Sequence, residues 1–199
     1  MDNKVFPLYL PSLHKGGNNG SSIVVAEVSE NLVQMQSATI DNDNIIFGET
    51  HSYLSSNHKS FLDVFSQFLN DYKLDKPNRI SIAVAAPVLQ RKSLSSKLIW
   101  PLDVDVLKSE LDIAKIDLIN DTEAAGYGLY SVEKEQLLTI YEGDSCIKGN
   151  VAILAPGKGL GEAGLFWDGE FLRPFATEGG HSEFSPRTDW EVEFYQFLK

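Results

Sequence analysis

Two groups of residues, far apart along the chain, have the types and spacing for chemistry on a hydroxyl-rich ligand. Glu178-Gly179-Gly180-His181 sets a carboxylate and an imidazole either side of two glycines. Both side chains can address one ligand while the backbone between them passes close to it. Asn120-Asp121 closes a strand-like run at the point where a helix begins, and side chains at such a handover project from the carboxyl edge of a sheet into a ligand crevice. The aspartate there can take a proton from an attacking hydroxyl. The asparagine both donates and accepts, which suits a sugar hydroxyl. A plainer reading of Asp121 is a cap for the helix at Thr122, and of the Glu178–His181 pair a loop with a surface carboxylate and a packed histidine.

A third motif, Gly157-Lys158-Gly159-Leu160-Gly161, follows an apolar strand, so its backbone amides can cradle a phosphate that side chains would otherwise obstruct. It is not a Walker loop, because no Gly-Lys-Ser/Thr is present. Residues 159–164 satisfy the formal dinucleotide spacing, but Leu165 to Gly169 reads as strand and hairpin rather than the required helix. The competing reading is an ordinary glycine-rich turn. One histidine and one carboxylate do not make a metal site, so no metal ligand is assigned. His14, His51 and His58 lie in polar stretches and read as solvated.

The elements that must position these residues alternate in kind. A polar, glycine-rich stretch over residues 14–22 precedes strands expected at 23–28, 32–37 and 45–49, an antiparallel meander. Asn57 is the expected cap of a helix with Phe61, Leu62, Phe65, Phe68, Leu69 and Tyr72 on one face. Residues 79–86 read as a strand buried on both faces, and Asp103 caps a helix turning Val106, Leu107 and Leu111 inward. Residues 116–120 return as a strand, completing a β-α-β unit, and 122–129 form a helix. Further strands are expected at 137–141, 151–155, 164–167 and 171–175, with Asp168-Gly169 as a hairpin turn. Thr188 and Glu191 form a capping box before a helix carrying Trp190, Phe194, Tyr195 and Leu198 on one face.

The 199 residues are 43% apolar with a net charge of −11, enough for a folded core and unfavourable for a nucleic-acid or anionic-membrane surface. Residues 1–13, broken by Pro7 and Pro11, read as neither a secretory signal nor an anchor, and no membrane partner is expected. The single cysteine, Cys146, excludes an internal disulfide and a cysteine cluster for zinc, in keeping with a cytoplasmic protein.

Taken in order, residues 82–87 (Ile-Ala-Val-Ala-Ala-Pro), 118–121 (Leu-Ile-Asn-Asp) with Glu123-Ala124-Ala125 and Tyr127-Gly128, the 156–161 turn and 178–186 (Glu-Gly-Gly-His-Ser-Glu-Phe-Ser-Pro) resemble the bacterial glucokinase family of the actin-like ATPase and hexokinase superfamily. Residues 6–11 are similar to the leader of some Bacteroidetes members. The resemblance implies an α/β fold, an actin-like, ribonuclease-H-like small lobe over about residues 1–130 and the beginning of a larger lobe over 131–199. It implies Asp121 as general base for the glucose 6-hydroxyl, Asn120, Glu178 and His181 as sugar-binding residues, and Gly157, Gly159 and Gly161 at the phosphates of ATP, with Mg2+ as the accompanying ion. A homodimer is the assembly it suggests.

The chain departs from the family pattern in places. The expected Asp-x-Gly-Gly-Thr phosphate loop has only His14-Lys15-Gly16-Gly17-Asn18 as a counterpart, Lys158 stands at a threonine position, and the asparagine before Trp100 is replaced within Lys97-Leu98-Ile99. The chain also stops before a further glucose carboxylate and the adenine site. These departures predict little or no kinase turnover by the 199 residues alone. Beside ATP-dependent glucose phosphorylation they leave open a non-catalytic sugar-binding or regulatory relative that lost its nucleotide site, and a fragment whose last apolar helix lacks a partner.

Overall fold

The computed structural model describes residues 5–10, 20–41, 44–95, 97–143 and 147–199. Cys146 and the His14–Asn18 stretch lie outside these. The first sheet begins with β1 (Ser22–Val28), β2 (Leu32–Asp41) and β3 (Asn44–Leu54), an antiparallel meander. β2 and β3 extend beyond the apolar runs because their polar ends still complete the ladder, with a bulge between Gln36 and Ala38. β4 (Arg79–Val84) lies parallel to β1, and β7 (Lys115–Asn120) parallel to β4, giving the order β3-β2-β1-β4-β7.

Between β3 and β4 runs α1 (Phe61–Asp71), whose Phe61, Val64, Phe65 and Phe68 seal one face of the sheet. Its cap is Ser60, whose hydroxyl accepts from Asp63 N at 3.3 Å. Asn57 is spent in a separate 3-10 turn, Ser55–Asn57, and Tyr72 falls just past the helix. β4 alternates fully buried Ile80, Ile82 and Val84 with half-buried neighbours, so one face rather than both is sealed. After the short pair β5 (Lys92–Ser93) and β6 (Leu102–Asp103) comes α2 (Val104–Leu111), capped by Asp103 as expected. Val104 and Leu107 face the core. Val106 lies about 200° round the helix from Val104 and is 52% exposed.

β7 passes directly into α3 (Asp121–Gly128). The second sheet, β10-β9-β8, is another antiparallel meander of β8 (Val151–Pro156), β9 (Leu160–Trp167) and β10 (Leu172–Ala176). The Asp168 carboxylate accepts from Glu170 N and Phe171 N in the β9–β10 turn, and Gly169 takes φ +102° there. Residues 137–141 form no strand, and Leu138 and Ile140 are exposed. Apolar character alone does not supply the neighbouring ladder a strand requires.

The N-terminal segment docks on the free edge of β10. Leu172 N donates to Pro7 O at 2.8 Å and Tyr9 N to Leu172 O at 3.0 Å, while Leu8 joins Leu165 and Leu172 in the core of this sheet. The last helix, α4 (Asp189–Leu198), carries the expected Thr188–Glu191 capping box. Phe194 on it meets Phe184 and Trp190, and Trp190, Phe197 and Leu198 are exposed. No helix among the described residues is long and apolar enough to cross a membrane.

Candidate functional site

Asn120 ends β7 and is 7% exposed, with its side chain turned back into the fold. Its Oδ1 accepts from Thr122 N at 3.0 Å and Glu123 N at 3.3 Å, and Nδ2 donates to Ala86 O at 3.3 Å. Asn120, not Asp121, is therefore the cap of α3, and one N–H of its amide is left for a ligand. Asp121 is half-buried and accepts from Thr122 N at 2.8 Å through Oδ1, which leaves Oδ2 for another partner. Burial pushes the neighbouring Glu123 carboxyl above its ordinary range.

One carbonyl joins this helix start to the second motif. The Thr122 hydroxyl lies 2.5 Å from Asn120 Oδ1 and 3.1 Å from Glu162 O, sharing its proton between them. On the other side of Glu162 O the Thr177 hydroxyl donates at 3.1 Å, and Thr177 Oγ1 accepts from Gly179 N at 3.4 Å. The amide-acid pair at 120–121 and the 178–181 corner are thus brought to one side of the molecule through a single residue of β9.

Glycine packing closes the same junction. A Cβ on Gly161 would stand 2.7 Å from Thr122 Cγ2, one on Gly180 would run into the Leu160 carbonyl, and one on Gly179 into the Glu162 carboxylate. The corner itself is a 3-10 turn, Gly179–His181. Glu178 Oε2 lies 3.1 Å from His181 Nδ1, and Lys97 Nζ reaches His181 Nε2 at 3.2 Å from the segment between β5 and β6.

Gly157-Lys158-Gly159 forms the exposed hairpin between β8 and β9, closed by Gly157 N donating to Gly159 O at 2.8 Å. Nothing lies within 4 Å of a Cβ on Gly157 or Gly159, and neither has a positive φ. Neither packing nor a positive φ demands glycine at either position, and the backbone of this exposed turn is left open to solvent. Residues 159–164 run into β9 rather than a helix, which removes the dinucleotide pattern. Among the described residues no three carboxylate, histidine or cysteine side chains gather as a metal site.

Sequence reasoning missed Thr122, Glu162, Thr177 and Lys97. The first three adjoin motif residues and hold them by hydroxyls or backbone, which carry no sequence signature. Lys97 stands out in the sequence only as part of a departure from a family pattern.

The glucokinase family model matches residues 24–199, and the chain belongs to that family. It is 34% identical over 148 residues to a glucokinase of Nostoc, an alignment covering 74% of this chain and 43% of the relative. Among solved structures, a glucokinase from an Antarctic psychrotroph superposes with a TM-score of 0.71 at 24% identity, over 89% of this chain and 56% of that one. A glucokinase from Balamuthia mandrillaris, solved in complex with glucose, gives 0.67 at 19%, over 89% and 53%. The fold is that of the actin-like ATPases: a small α/β lobe followed by the opening part of a larger one. The chain spans about half the length of these relatives.

Proposed function

We propose that this glucokinase-family chain carries the sugar-facing part of an ATP-dependent hexose kinase site, with glucose as the acceptor and Asp121 as the general base. The small lobe, up to about residue 130, supplies Asn120 and Asp121, and the following lobe supplies Glu178 and His181. The observation carrying this reading is the Glu162 carbonyl, which receives the Thr122 and Thr177 hydroxyls and so holds the acid of α3 beside the 178–181 corner.

In the proposed reaction Asp121 takes the proton of the sugar 6-hydroxyl as that oxygen bonds to the γ-phosphorus and the bond to the β-phosphate oxygen breaks. Such transfer depends on alignment and charge stabilisation around a loose phosphoryl group. Holding donor and acceptor in line contributes roughly 7–11 kcal/mol. The Gly157–Gly161 turn fits a phosphate, since its exposed glycines leave the backbone approachable. Magnesium bound with ATP would neutralise phosphate charge.

Calorimetry with glucose, then with magnesium-ATP, tests the reading. Uptake of both ligands supports a kinase site. Glucose without nucleotide supports the sugar-binding relative instead, and failure to bind glucose removes the site.

A further inference from the structure

The geometry points to Lys97 as the hydrogen-bond donor that meets the sugar at the 178–181 corner, with His181 positioning it; the inference rests on the proposed sugar site. A lysine ammonium has donors only, so its contact with His181 Nε2 at 3.2 Å makes that nitrogen an acceptor. The imidazole proton is then on Nδ1, facing Glu178 Oε2 at 3.1 Å. Lys97 donates to His181 and His181 donates to Glu178 in one direction, and both ring nitrogens are engaged.

A sugar hydroxyl donates once and accepts as well. Asp121, Glu162 and Glu178 as carboxylates only accept. His181 has no N–H left over, and Asn120 retains one. Lys97 retains two N–H bonds beyond the one given to His181, and no other protein acceptor for them is found among the described residues. Its backbone is held close to the corner by neighbours in the first core: Leu98 and Trp100 are 7% and 8% exposed, Trp100 Nε1 donates to His58 O at 3.3 Å, and Lys97 N donates to Ser95 Oγ at 3.2 Å. The lysine thus replaces donor capacity that the buried asparagine and the occupied histidine cannot supply.

Titration of glucose into the wild-type chain, Lys97→Met and Lys97→Arg tests this, together with nitrogen-15 spectra of the His181 ring in the sugar-free protein. Lys97→Met keeps the aliphatic stem and is expected to weaken glucose binding about tenfold, with Lys97→Arg recovering most of it. The ring is expected to carry its proton on Nδ1. Equal affinity in Lys97→Met, or a proton on Nε2, overturns the role of Lys97 while leaving the sugar site standing. Absence of glucose binding by the wild type removes the site and this inference with it.

Discussion

Gly180→Ala is the sharpest probe of whether the 178–181 corner must sit where it does. The added methyl would lie 2.8 Å from the carbonyl carbon of Leu160 and closer still to its oxygen, where ordinary contact begins at 3.4 Å. The obstacle is β9 backbone, locked in register by pairing of Leu160 with Pro156, so no side-chain rotation relieves it. The carbonyl carbon alone asks for a retreat of about 0.6 Å, from 2.8 to 3.4 Å, and the nearer oxygen asks for more, so the corner moves and takes Glu178 and His181 with it. Overpacking of this kind costs about 1–3 kcal/mol. A shift approaching 1 Å at a positioned group can lower activity roughly a hundredfold. Denaturant midpoints and glucose titrations of Gly180→Ala should both fall, whereas Gly159→Ala, with open space around its methyl, should keep its stability within about 0.5 kcal/mol. A Gly180→Ala chain that matches the wild type in both measurements would refute the reasoning.

Asp121→Asn retains an oxygen for Thr122 N, so glucose affinity should hold within a few-fold while any phosphoryl transfer in a coupled assay falls by roughly 10²–10⁴; an unchanged rate removes Asp121 as base. Asp168 is held down at about 2, first by the Phe171 amide, then by the Glu170 amide and Arg173. Its contribution is present above the ordinary carboxylate range and is lost as pH falls from about 4 towards 2, so the stability gap between wild type and Asp168→Asn should close across that window in pH-resolved denaturation. Leu8→Ala should destabilise the second sheet by about 2–5 kcal/mol. Hydrogen exchange at the Leu172 amide, which bonds Pro7 O, should accelerate, and unaltered protection there would show that the N-terminal segment does not support this sheet.

The parts of this fold that were legible are those where local pattern and tertiary partner coincide. β1, β4 and β7 are short apolar runs, and the only sheet that buries Ile80, Ile82 and Val84 also places Asn120 at its carboxyl edge. Residues 137–141 have a comparable apolar pattern without a strand beside them, which no local rule detects. Ser60 and Asn57 are both good caps, and what separates them is the chain direction set by the preceding 3-10 turn. The motif residues of the candidate site could be picked out by type and spacing, whereas its joints could not. Thr122 and Thr177 act through a backbone carbonyl, and Lys97 arrives from 84 residues away.

Those joints differ in strength, and the difference bears on how a sugar would be met. The start of α3 is tied to β9 by the Thr122 hydroxyl, and further along the helix Gly126 packs so closely that a Cβ would stand 3.1 Å from Pro174, 3.3 Å from Leu165 and 3.4 Å from Ile153. A helix held at two points along its length cannot tilt without breaking one hold, so the position of Asp121 relative to β9 is set before any ligand arrives. The Lys97–His181 contact, by contrast, joins exposed side chains, a class of contact typically worth no more than about 1 kcal/mol. On the proposed reading a sugar hydroxyl is met by the two N–H bonds that Lys97 retains, and this exposed contact can adjust around it. The acid is then fixed and the donor adjustable, so rearrangement on sugar binding is expected at Lys97 rather than at Asp121.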